Sequence, residues 1–161
     1  MENFKVLKPF GPSIVKIKMS NEMIEEINHY IDSVILDHQK IKKLNEGDKL
    51  IGKVQQEFLM EVNFMKKIKW AEFLASNVSS WAQEELKKEI KNFQLIKSWV
   101  VRQFQNDYNP VHWHSGDISG VGYLKVPSYL GNTSQPDKKT NENGKLQLIS
   151  GSPNLFSKST Y

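Results

Sequence analysis

The feature that most restricts how this chain can fold is a change of hydrophobic period near Phe93. Before that point apolar residues recur every three or four positions: Met23, Ile24, Ile27, Tyr30, Ile31, Val34 and Ile35 form one stripe, and Trp70, Phe73, Leu74, Val78 and Trp81 another. Such spacing gathers side chains on one face of a helix, which then buries that face. Residues 94–104 lose the stripe and are rich in β-branched and aromatic side chains, which predicts a strand. Further strands are expected at 118–126 and, after the turn signal Asn143-Gly144, at 145–149. Helices first and strands afterwards imply an α+β fold, with helices buttressing a mostly antiparallel sheet or barrel.

Local signals fill in the order of elements. A short strand is expected at 10–18, after Gly11-Pro12, and Ser20 or Asn21 can cap the first helix through a side-chain oxygen. Residues 37–52 turn polar, with Asn45-Glu-Gly47-Asp48 as a loop, and the second helical stretch is expected over 64–91. Its other side carries Glu84, Glu85, Lys87, Lys88 and Glu89. Residues 131–143, rich in Asn, Thr, Ser, Lys and Pro, read as an exposed loop, and there is no internal repeat.

Composition narrows the functional classes. A chain of 161 residues, 39% hydrophobic and 25% charged, fits one domain over 1–161 with one core. Its net charge of +4 comes from 22 Lys and Arg against 18 Asp and Glu, and Arg102 is the only arginine. A nucleic-acid surface concentrates basic residues and relies on arginine, so nucleic acid is not the expected partner. With no cysteine there are no disulfides and no thiolate metal ligands. The N-terminus lacks a signal-peptide pattern and no apolar run approaches the roughly 20 residues of a membrane span, which leaves a cytoplasmic location as the expectation.

Two of the four histidines, His112 and His114, stand one residue apart. On extended backbone, residues i and i+2 project to the same face, so both imidazoles can point at one centre. That is the geometry of two neighbouring ligands to a divalent first-row metal, with Asn109-Pro110 fixing the turn into the site. The alternative is structural: one histidine packed in a sheet, the other at the surface, and Trp113 in the core. Asp117 is a possible oxygen ligand, although Ser115-Gly116 suggests a turn there. His29 and His38 are assigned to the surface or core of the first helix. Gly120 and Gly122 interrupt a strand pattern, and Tyr123 is expected to carry its hydroxyl inward, towards a ligand carboxylate or a buried carbonyl.

The run Asn109-Pro-Val-His112-Trp-His114, followed by Ile118-Ser-Gly-Val-Gly-Tyr-Leu-Lys-Val-Pro127, resembles the 2-oxoglutarate and Fe(II)-dependent oxygenases of marine bacteria and phages, relatives of the prolyl hydroxylase group. The match is close over 99–127 and looser over Gly144-Lys-Leu-Gln-Leu148. It implies a double-stranded β-helix, or jelly-roll, with N-terminal buttressing helices and one Fe(II) at its mouth. It also implies a dioxygenase that hydroxylates a substrate while decarboxylating 2-oxoglutarate to succinate. His112 matches the first ligand, and His114 falls where the wider superfamily has Asp or Glu. Tyr123 falls where the prolyl hydroxylase group often has a tyrosine that holds the 2-oxoglutarate carboxylate.

The distal histidine and the arginine of that superfamily have no counterpart after His114, so the resemblance implies that they and the last strands lie beyond Tyr161, and that this piece alone binds iron poorly and is inactive. Which of His114, Asp117 or water completes the ligand set stays open, as do the substrate and the oligomeric state. A rival expectation is a non-catalytic jelly-roll module, binding sugar or protein or serving as a phage structural component. A zinc hydrolase is a third, with Asp117 the sole local candidate for its base.

Overall fold

Ser20 opens the first long helix as expected: its hydroxyl accepts from the amide of Met23, 3.2 Å away, and α1 runs Asn21–Leu36. In this computed structural model the described residues are 4–7, 13–133, 137 and 140–149. The predicted stripe is the buried face of α1, where Ile27, Tyr30, Ile31 and Val34 enter the core. At Asp37 the chain turns, and the Asp37 carboxylate accepts from the amides of Gln39 and Lys40 to start α2, His38–Leu44. This helix was not expected from the polar composition; besides its side-chain cap, it packs Ile41 and Leu44 against the core. A turn of 3-10 helix, Gly47–Lys49, follows in the expected loop.

The described residues fall into two compact units. One is drawn from Met1–Lys18 and Pro127–Tyr161, the other is Met19–Val126. In the first, β1 (Phe4–Leu7) pairs antiparallel with β2 (Ile14–Ile17), which corrects the expected 10–18 strand to its second half; the Gly11-Pro12 turn and Phe10 lie outside the described residues. The same unit holds the turn at Asn143-Gly144, where Gly144 has φ +66° and a β-carbon would come within 2.8 Å of Leu130. The Asn143 amide donates to the carbonyls of Leu130 and Asn132, at 3.0 and 3.1 Å.

The second unit carries the core. Its β3, Gln56–Leu59, was missed in the sequence, and it pairs antiparallel with β4, Trp99–Arg102, the central part of the expected 94–104 strand. The register sets Phe58 opposite Val100 and Glu57 opposite Val101. Phe58 is fully buried and packs with Val100, Met60, Ile68 and the α1 stripe. The expected 64–91 helix is two: α3, Val62–Lys67, and α4, Trp70–Leu86. Lys69 breaks them apart with a left-handed φ of 53°, and Lys87, also at φ 53°, ends α4 before the expected residue 91. Tyr30 stacks on Phe64 with ring centroids 3.9 Å apart, and its hydroxyl accepts from the Glu61 amide.

Two expected strands do not form. Residues 118–126 and 145–149 carry no ladder, because among the described residues no neighbouring strand lies beside either, and an unpaired strand leaves its amides and carbonyls to water. The fold is therefore mixed α+β, with two separate two-stranded sheets and no closed barrel among the described residues. Among these residues no helix is long and apolar enough to cross a membrane.

Phe58 is the test of this core. Phe58→Ala should lower the stability of the Met19–Val126 unit by about 3–5 kcal/mol, the usual cost of emptying an aromatic site. Urea unfolding should show the midpoint falling with an unchanged slope; a change under about 0.5 kcal/mol, no more than a surface substitution gives, would place the core elsewhere.

Candidate metal centre

The site begins with a detour between the two strands. Gln56 pairs with Arg102 in the β3–β4 ladder, yet Lys53, three residues earlier, pairs with Tyr108, six residues later, through bonds of 2.9 and 3.1 Å. The chain at 103–107 must therefore loop out, and Asn106 allows it by taking φ 71°, a left-handed conformation that asparagine tolerates. Asp107 closes the loop. One carboxylate oxygen accepts from the amides of Gln55 and Phe104 at 3.1 and 3.0 Å, and the other from the Gln55 side chain at 3.3 Å. Burial works to raise its pKa, but these donors, with the charge of Lys53, hold the carboxyl below its ordinary range. Asn109 then lies against Gly52, where any β-carbon would collide with its side-chain oxygen.

From this anchor the chain passes Pro110 to the two histidines. His112 Nδ1 is 2.7 Å from the Pro110 carbonyl oxygen. A carbonyl only accepts, so Nδ1 carries the proton, and the neutral ring presents a bare lone pair at Nε2. That atom faces His114 Nε2 at 3.1 Å, with the rings edge to face and their centroids 4.8 Å apart. With both rings neutral, His114 accordingly donates its Nε2 proton to His112. A metal would replace that proton.

The spacing fits such an exchange. Two nitrogens each about 2.1 Å from one ion stand about 3.0 Å apart at a right angle and about 3.4 Å apart at a tetrahedral angle. The observed 3.1 Å lies nearer the right angle, that of neighbouring positions on an octahedral ion. Both rings are exposed, and His114 sits beside Trp99, 5.7 Å between centroids.

Trp99 shares a sheet face with Leu59, Glu57 and Val101, opposite to the face of Phe58 and Val100. Glu57 on that face is 4% exposed, and among the described residues its Oε2 has no hydrogen-bond partner. Burial raises its pKa, the negative charge of Asp107 adds to this, and His112 acts in the opposite sense. Sequence reasoning missed Glu57, Asp107 and Trp99. A glutamate within the run Gln56-Glu-Phe-Leu-Met60, where β3 lies, was the available signal for the first.

The remaining predicted residues are placed as follows. Among the described residues no group of three His, Asp or Glu side chains is gathered closely enough to hold a metal, so Asp117 does not join the two histidines. Trp113 is not in the core: it is 86% exposed. Tyr123 does not point inward either, being 52% exposed, because the segment that carries it is not part of a sheet; its neighbour Leu124 does pack on the core. Gly122 lies close to the Met19 side chain, while Gly120 faces open space. Arg102, the sole arginine, is committed to the Gln56 side-chain oxygen and to the Phe104 ring, 5.3 Å from its centroid.

The clasp should be sensitive to acid. A folded pKa below the ordinary aspartate value means that Asp107 adds stability at pH above that value, which is lost as pH falls through the lower, folded pKa. Asp107→Ala should therefore speed hydrogen exchange at the Gln55 and Phe104 amides at neutral pH, and abolish the extra acid-induced exchange that the parent shows there. Equal protection in both proteins would show that the strand pairing alone holds the loop. Compared with known proteins, the chain matches no family model, no curated protein and no solved structure.

Proposed function

We propose that this chain carries part of the metal site of a 2-oxoglutarate and Fe(II)-dependent dioxygenase, with His112 and His114 as ligands. The observation that carries the metal reading is the convergence of the two Nε2 atoms at 3.1 Å, with His112 turned and its tautomer fixed by the Pro110 carbonyl. The donors are imidazole nitrogens, which suit Fe(II) as well as zinc, copper or nickel. The choice of iron and of 2-oxoglutarate comes from the resemblance of 99–127 to the oxygenases. On this proposal β3 and β4 are two strands of a double-stranded β-helix.

When bound, the iron and its cosubstrate supply the oxidation: 2-oxoglutarate and dioxygen yield succinate and carbon dioxide, and one oxygen atom enters a C–H bond of the substrate. The chain's own residues hold and orient. His112 offers the lone pair of Nε2, since the contact of Nδ1 with the Pro110 carbonyl places the proton there. His114 gives up the proton it shares with His112 and is steadied by the Trp99 ring. Tyr123, accessible to solvent, offers a phenol to the cosubstrate carboxylate. The exposed apolar side chains of Val111, Trp113, Val121 and Val126 favour a second reading, a non-catalytic binding module.

Titration with Co(II), a spectroscopic stand-in for Fe(II), should give visible absorption bands that saturate, and His112→Ala should remove them while the far-ultraviolet circular dichroism stays unchanged. In the full-length protein, Fe(II), 2-oxoglutarate and air should release succinate, and Tyr123→Phe should raise the 2-oxoglutarate concentration required without loss of metal. Metal binding with no succinate would favour the binding module; no difference between the parent and His112→Ala in Co(II) uptake would remove the metal site altogether.

A further inference from the structure

Three carboxylates stand on or beside the β3–β4 pair, and only one is without a committed role. Glu46, at the edge of β3, is ion-paired to Lys97 at 2.6 Å and to Lys49 at 3.4 Å. Asp107 spends both oxygens on Gln55 and Phe104. Glu57 is buried, and among the described residues its Oε2 meets no donor. Burying a carboxyl oxygen without a partner is costly, and native proteins do it mainly where function requires it or where an ion completes the site.

The position of Glu57 indicates which. Its side chain lies on the sheet face of Trp99, the ring beside which His114 sits, and packs against Gly47 in the 3-10 turn, where a β-carbon would be only 3.8 Å from Oε2. Asp107, which anchors the histidine segment, and the position of His112 both lie within electrostatic reach of it. Two neutral imidazoles leave the full double charge of a bound metal uncompensated.

We propose that Glu57 is the anionic member of this metal site, a buried carboxylate that neutralises through space a divalent ion held between His112 and His114. It rests on the metal-binding part of the proposed function and not on the oxygenase chemistry. Glu57 is a positioning residue: it is outside the pair of imidazoles that would touch the ion, and it acts by its charge.

The charge can be removed without emptying the site. Glu57→Gln keeps the volume and takes away the negative charge, and the metal-free variant should melt no lower than the parent, since the buried Oε2 makes no hydrogen bond for the substitution to lose. In a Co(II) titration of the full chain followed by visible absorption, Glu57→Gln should bind about 10- to 100-fold more weakly, the scale on which groups behind the ligands act. Glu57→Asp, which restores the charge, should recover much of the affinity. Equal Co(II) affinity in the parent and Glu57→Gln would overturn the proposal and leave the histidine site standing, as would a Glu57→Asp variant no tighter than Glu57→Gln. A parent that takes up no more Co(II) than His112→Ala would overturn both.

Discussion

The pairing of β3 with β4, in one register, is the constraint on which the rest depends. Strand side chains alternate between faces, so Phe58 and Val100 enter the core while Glu57, Val101, Leu59 and Trp99 turn the other way. A slip of one residue would drive Glu57 into the hydrocarbon cluster and expel Phe58, a cost no neighbouring contact could offset. The Phe58 side chain therefore fixes more than the core. By holding the register it also determines which residues, Trp99 and Glu57, form the face that meets the histidine segment.

The first half of the chain was readable because its burial follows a period. The α1 stripe names its own core residues, and Ser20 announces the cap. Failures cluster where local and distant terms compete. Lys69 divides the long amphipathic pattern with a left-handed residue that no propensity favours, so one expected helix became α3 and α4. β3 is only four residues long, and its buried Glu57 breaks the apolar signature of a strand. The reverse error occurred at 118–126, where Val121, Tyr123 and Val126 look like strand residues but have no ladder to join. β-propensity describes the fit to a partly buried surface, and without that surface it predicts little.

The approach of His112 and His114 was legible in the sequence, and what supports it was not. His112 and His114 converge as the i, i+2 rule requires, and the relation is local enough to survive in a segment that is not a strand. What turns His112 is the carbonyl of Pro110, two residues away. What brings the segment to the sheet is Asp107, whose partner Gln55 is distant in sequence. Such a contact leaves no period to detect, and an aspartate before a tyrosine reads as an ordinary turn residue.

An exposed segment with a defined pair of imidazoles poses a physical question, since exposed loops sample many conformations and a metal site needs few. Here order is imposed upstream. The Lys53–Tyr108 bridge and the Asp107 clasp fix where 109–114 leaves the sheet, the bulk of Asn109 against Gly52 limits its direction, and the proline ring removes one backbone torsion from the remaining freedom. Only a few torsions then separate Pro110 from His114, and the two ring contacts, to Pro110 and to Trp99, restrict several of those. The entropy lost in ordering the two rings is thus borne mainly by folding of the Met19–Val126 unit. That division explains how two imidazoles can be held 3.1 Å apart in residues that bury almost nothing: the precision of the pair is borrowed from the register of β3 and β4.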